Sequence, residues 1–222
     1  MEHFKISQQG SSLHIDGFPD AVKVIGIDGR NSKRLADLAL HKDDLKFADG
    51  CLDAINLSPE EPFVIREALW RSAIVHFIKC FGDSKARFQL SSVRILKGEP
   101  PEAMTAFEYF KHLRNKHLVH DENSHSQSLS GALLKNGTKN YKIEKVVCLA
   151  TVAGTLSQEN YGNLKLLIQK SRSWVITEFD QLCNTIATEL ESVSYDDLLK
   201  RKSLEFQVPT NHEIDKNRMH RK

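Results

Sequence analysis

The stretch Leu164-Lys165-Leu166-Leu167-Ile168-Gln169-Lys170-Ser171-Arg172-Ser173-Trp174-Val175 decides the fold class. Its apolar positions continue through Phe179, Leu182, Ile186, Leu190 and Val193 at a spacing of three or four residues. That is the period of a single helical face. Ser157 can accept a hydrogen bond from the first turn, which predicts a helix over 158–193. At 1.5 Å per residue such a helix reaches roughly 54 Å. A helix of that length spans a bundle or contributes to a dimer seam.

Three more helices are legible on its N-terminal side. Pro100-Pro101-Glu102 opens one that follows Phe107, Phe110 and Leu113 to about residue 119. Ser58-Pro59-Glu60-Glu61 carries an N-cap serine, a proline at the first helical position and a capping-box glutamate. The segment 59–82 behind it is apolar on more than one face (Phe63, Leu69, Trp70, Ile74, Val75, Phe77, Ile78), so it is expected at the centre of the core. Ser32 caps a helix over 33–56 with Leu35, Leu38, Leu45, Leu52 and Ile55 on one stripe. Ser194 caps a short last helix. Mostly short connections make this a mainly α protein, an antiparallel four-helix bundle.

The remaining segments are smaller. A polar stretch, Asp121 to Ser130, is expected to be mobile. Asn136-Gly137 predicts a type I′ hairpin turn, with Tyr141–Leu149 as the returning strand. Phe4-Lys5-Ile6, Leu13-His14-Ile15 and Val22-Lys23-Val24-Ile25 read as short strands. The chain therefore divides into an N-terminal β segment (1–31), a helical domain (32–200) and a basic tail (201–222).

At 222 residues, 40% hydrophobic and 27% charged, the composition suits one good core. No apolar run is long enough to cross a bilayer, and no export signal is expected, since no cationic start followed by an apolar block is read from residue 1 onward. The four cysteines, Cys51, Cys80, Cys148 and Cys183, have no CxxC pairing. A cytoplasmic protein with reduced, mostly buried thiols is expected. The net charge of +2 hides an uneven distribution: residues 79–120 hold 8 Lys/Arg against 4 Asp/Glu, and 200–222 hold 7 against 3. The first of these segments has the charge that a phosphate-binding site requires.

Within it lies Phe110-Lys111-His112-Leu113-Arg114-Asn115-Lys116-His117-Leu118-Val119-His120. Arginine can hold a phosphodiester through its planar fork, and histidine, with an ordinary pKa of about 6.5, can move protons beside it. The Arg–His spacing alone decides nothing. It occurs at Arg34/His41, Arg71/His76 and Arg114/His120, where chance gives about 1.5 matches. Context separates the three. The first falls on an expected exposed face and the second in mid-helix, where a core histidine and a snorkelling arginine are expected. Arg114 is followed by Asn115, backed by an aromatic stripe and ends at a polar loop.

The segment Leu113–His120 resembles the signature of HEPN-domain proteins, an arginine, a polar residue and a histidine at variable spacing. The wider order resembles the abortive-infection, AbiU-type branch over about residues 33–193: Ala68-Leu69-Trp70-Arg71 in a buried helix, a basic loop, the motif helix, a hairpin and a long last helix. The resemblance implies a HEPN-like bundle that dimerises with its motifs facing each other and cleaves RNA without a metal or other cofactor. Carried over by position, Arg114 would stabilise phosphate charge, Asn115 would support it and His120 would be the general acid/base. Lys111, Lys116 and His117 are the accompanying candidates for substrate binding. RNA, a second copy of the chain and an antitoxin or regulatory protein are the expected partners. HEPN toxins paired with a nucleotidyltransferase antitoxin typically carry a tyrosine two residues after the motif histidine. Glu122 stands there, which puts control by tyrosine modification in doubt. The alternative is a non-catalytic HEPN-like dimer that binds RNA or protein, and a third possibility is a structural dimer in which Arg114 pairs with a carboxylate.

On a straight helix, Arg114 and His120 stand about 120° apart. A compact site therefore needs either a helix end that unwinds near His120 or a second motif from a partner. His117 and His120 could share a metal, but His112 and His125 are expected to point elsewhere, and structural zinc needs four converging ligands. His117 continues the apolar stripe and is expected to be an interior or interface histidine. Gly26-Ile27-Asp28-Gly29 lacks the Lys-Ser/Thr of a phosphate loop, and no Gly-x-Ser-x-Gly elbow exists. Trp70 and Trp174 are expected as core anchors.

Overall fold

The computed structural model describes residues 6–9, 12–15, 17–55, 62–120, 122–204 and 210–214. The chain is mainly helical and carries a two-stranded antiparallel hairpin. In order it forms β1 (Ile6–Gln9), β2 (Ser12–Ile15), α1 (Arg30–Ala54), α2 (Phe63–Lys79), α3 (Ser92–Ile95), α4 (Pro101–Leu113), a wide turn over Arg114–Leu118, β3 (Ser126–Leu134), β4 (Ile143–Val152), α5 (Gln158–Glu191) and α6 (Tyr195–Lys200). It divides into two compact units: Met1–Ala39 with Thr177–Lys222, and Leu40–Ile176. Among the described residues, no helix is long and apolar enough to cross a membrane.

In the first unit, β1 pairs with β2. The expected third strand at Val22–Ile25 does not form. Its backbone meets the segment after α6 instead, with an isolated bridge from Ile25 to Ser203 and a hydrogen bond from the Leu204 amide to the Val24 carbonyl at 2.8 Å. The Lys23 ammonium holds the last carbonyls of α6, donating to Leu199 O at 2.7 Å and Arg201 O at 2.6 Å. Phe4, Lys5 and the basic run 216–222 lie outside the described residues.

In the second unit, α2 packs on α4 through rings: Phe77 and Phe81 on Phe107, and Trp70 on Phe110, all edge to face. This geometry aligns a ring's positive edge with the negative face of its neighbour. The α1 segment meets α5 through Asp49, which receives Lys165 at 2.7 Å and Arg172 at 2.9 Å. Leu45, Leu52, Ile74, Leu164, Ile168 and Val175 fill the space between the helices. The expected anchor Trp70 is fully buried, and its indole N–H donates to Thr155 Oγ1 at 2.9 Å. Trp174 is only half-buried.

Several boundaries differ from the expectation. Helix α1 starts at Arg30, which leaves Ser32 inside it. Helix α2 starts after Pro62, which has an extended ψ of 125°; Ser58, Pro59 and Glu61 lie outside the described residues. Phe63, expected in the core, is exposed. The Asn136-Gly137 turn is not type I′, because neither residue has a positive φ. A longer loop closes instead, with the Lys135 amide donating to Lys142 O at 2.8 Å. The second half of the polar stretch forms β3, whose nine residues pair along β4. Of the cysteines, Cys51 and Cys80 are buried but Cys148 is exposed on the hairpin. Burial pushes the Cys80 thiol up to about 12.

Candidate functional site

Pro101 fixes the first turn of α4, and Phe107, Phe110 and Leu113 bury its inner face. The helix then changes pitch. Residues Arg114–Leu118 form one π-helical turn, closed by the Val119 amide on the Arg114 carbonyl at 3.1 Å, five residues back. Such wide turns are rare and are found frequently at functional sites. Beyond the turn the Glu122 amide donates to Lys116 O at 2.9 Å, and helical pairing stops. Of the two routes to a compact site, the helix end does unwind before His120.

The turn sorts the candidate residues. Arg114 is half-buried and donates from Nη1 to Asn115 Oδ1 at 2.8 Å. Its Nε is buried without an acceptor among the described residues. His117 faces inward at 8% exposure, and the ring of His125 lies 5.5 Å from it. His125 was expected to point elsewhere; the start of the hairpin returns it to the motif, and the Ala153 amide ties down its carbonyl at 2.8 Å. His120, Lys116 and His112 are exposed. Lys111 is engaged by Glu108 at 3.0 Å, along the helix and away from Arg114. Two imidazoles do not make a metal centre, and among the described residues no group of three His, Cys, Asp or Glu side chains is arranged to hold a metal.

The other two Arg–His pairs have different surroundings. His41, expected on an exposed face, is fully buried and donates from Nε2 to Phe88 O at 2.8 Å. Arg34 holds Glu178 at 2.9 Å. Arg71 holds Glu67 at 3.2 Å, and His76 is half-buried against Asp44 at 2.7 Å. Arg87 and Arg172 also hold carboxylates. Arg114 contacts none among the described residues, and its one side-chain partner is a neutral amide oxygen. An arginine held by an amide keeps its full positive charge toward solvent.

The chain matches no protein-family model, no curated protein and no solved structure.

Proposed function

We propose that the protein is a HEPN-type, metal-independent endoribonuclease of the abortive-infection class, working as a cytoplasmic dimer through Arg114, Asn115 and His120. The observation that carries this reading is the Arg114–Asn115 pair in a π-turn, with no carboxylate on the guanidinium among the described residues. A structural arginine would be neutralised, as Arg34, Arg87 and Arg172 are. An anionic ligand would supply the counter-charge that Arg114 lacks.

RNA brings its own nucleophile. His120 takes the proton from a 2′-hydroxyl, whose oxygen attacks phosphorus while the bond to the 5′-oxygen breaks. Arg114 offsets the charge that builds on the phosphorane oxygens. The 5′-oxygen is protonated from water or a second imidazole, leaving a 2′,3′-cyclic phosphate and a 5′-hydroxyl. Exposure of His120 leaves room for this exchange.

His120→Ala is the test. RNA cleavage should fall roughly a hundred- to ten-thousand-fold, and growth inhibition on expression should vanish. The melting curve should stay put, because the side chain is exposed. Activity that survives in this variant refutes the assignment. A non-catalytic RNA- or protein-binding dimer is the second reading. It is favoured by one fact: no carboxylate orients the His120 ring among the described residues. A wild type that binds RNA but leaves it uncut would establish it.

A further inference from the structure

Two features of the unit 40–176 have no part in the site above. One is the β3–β4 ribbon. Paired residues share a face, and pairs alternate between faces. Leu129 with Leu149 and Gly131 with Val147 lie on one face; Ala132 with Val146 and Ser130 with Cys148 lie on the other. The first face is apolar at its centre, the second mixes Ala132, Val146 and Cys148 with Ser126, Ser128 and Ser130, and both are open to solvent: Leu129 is 64%, Leu149 69% and Val146 72% exposed. A lone two-stranded ribbon is marginal in water, and an apolar sheet face belongs in a buried position.

The second feature is a groove of about 660 Å³ between α4 and α5. Leu96, Ala106 and Leu166 contribute apolar lining, and Glu99, Glu102 and Glu159 contribute carboxylates. Lys170 holds Glu99 at 2.5 Å. Glu102 and Glu159 have no cation among the described residues.

We infer that the ribbon is an exchanged arm, which seats in the α4–α5 groove of a second copy of this chain. Three observations select that occupant. The charges are opposite: the tip half of the ribbon carries Lys135, Lys139, Lys142 and Lys145 against Glu144 alone, and it would meet the acidic groove. The reach fits, since the nine residues of β3 extend ~30 Å and the thirteen of α4 about 20 Å. The ribbon is rooted beside His117, at the far end of α4 from the groove residues Glu102, Ala103 and Ala106, so copies that meet at their motif ends bring each ribbon's root to the end of the other's α4. The size fits too. The strands and the groove residues of one copy make up the roughly 20–30 residues a side of a stable interface, and a two-fold dimer makes the contact twice. The ribbon does not fill its own groove, because its strands are exposed along their length.

This inference rests on the dimer in the proposed function but not on its chemistry. The test is sedimentation equilibrium of the full chain over a concentration series. Lys139→Glu with Lys142→Glu should weaken the wild-type dimer about tenfold or more, and Glu102→Lys with Glu159→Lys should do the same. A chain carrying all four substitutions should return toward wild-type affinity. All four residues are exposed, and circular dichroism checks each fold. A monomeric wild type, reversals without effect, or four substitutions that fail to restore the dimer would each overturn the inference. So would ribbon reversals that reduce RNA affinity or vesicle binding at unchanged mass. His120→Ala should leave the dimer intact, so a chain that dimerises but does not cut RNA disproves the ribonuclease reading alone.

Discussion

Asp44 gathers three nitrogen donors: His76 Nδ1 at 2.7 Å, Lys79 Nζ at 3.1 Å and Arg87 Nη1 at 2.7 Å. Burial, the largest single influence, pushes its pKa up, but the three hydrogen bonds and the charge of Arg87 together hold it below the ordinary carboxylate range. Arg87 is itself 9% exposed, so removing the carboxylate strands a buried guanidinium. Asp44→Asn should therefore cost about 3 kcal/mol at neutral pH, read by urea unfolding. The pH dependence has a definite sign. A folded value below the unfolded one, about 3.9, means that the contribution is complete above that value and is lost as pH falls through the lower folded value. The stability gap between wild type and variant should narrow in strong acid. A gap that stays constant down to the acid limit would show that the carboxylate's charge is not what stabilises the cluster. No motif announced these four residues. They come from two helices and the loop after α2, and no sequence spacing links them.

At the scale of elements, the hydrogen bond from Trp70 Nε1 to Thr155 Oγ1 fastens α2 to the segment that returns from β4. Both partners are buried. Trp70→Phe strands a hydroxyl and Thr155→Val strands an indole N–H, so each should cost about 1–3 kcal/mol. The double variant should lose less than the sum of the two, because a single shared bond is removed. Strict additivity in chemical unfolding would mean that the bond contributes nothing. Elements whose ends carry local chemistry were legible: Pro100-Pro101-Glu102 for α4, Ser157 for α5 and Ser194 for α6, each at or next to the observed start. The burial of His41 was misjudged: positions 38, 41, 45, 48 and 52 form one continuous stripe, but the polarity of the imidazole placed it on the exposed face. The π-turn was not legible. Arg-Asn-Lys-His-Leu contains no proline or glycine, and a phase calculation at 3.6 residues per turn assumes away the change of pitch. Strand β3 was hidden for a related reason: Ser126–Ser130 is held by backbone pairing with an apolar partner strand, a contact that no local pattern records.

Across the whole molecule, charge is segregated by segment. The cationic stretch 79–120 is bounded by acidic stretches, and its arginines divide into two populations. Arg87 is neutralised internally by Asp44, whereas Arg114 holds only an amide oxygen. Net charge therefore overstates what is available to RNA: Lys79, Lys111 and Arg87 are engaged by carboxylates, while Lys85, Arg94, Lys97, Arg114 and Lys116 hold none among the described residues, and of these only Arg114 and Lys116 stand in the motif. Binding to a phosphate backbone releases counterions, so log affinity falls with log salt in proportion to the phosphates neutralised, by about 0.7 per contact on a single strand. Lys116→Ala should reduce the magnitude of that slope by about 0.7 and weaken all RNA sequences alike. Lys111→Ala should change it less, because Glu108 already screens that ammonium at 3.0 Å. The measurement is fluorescence anisotropy of a short unstructured RNA against the His120→Ala chain, titrated across salt. Equal slopes for the two lysine variants would mean that the pairing seen along α4 does not decide which cations reach the phosphates, and that the motif gains no electrostatic advantage from its place at the end of the helix.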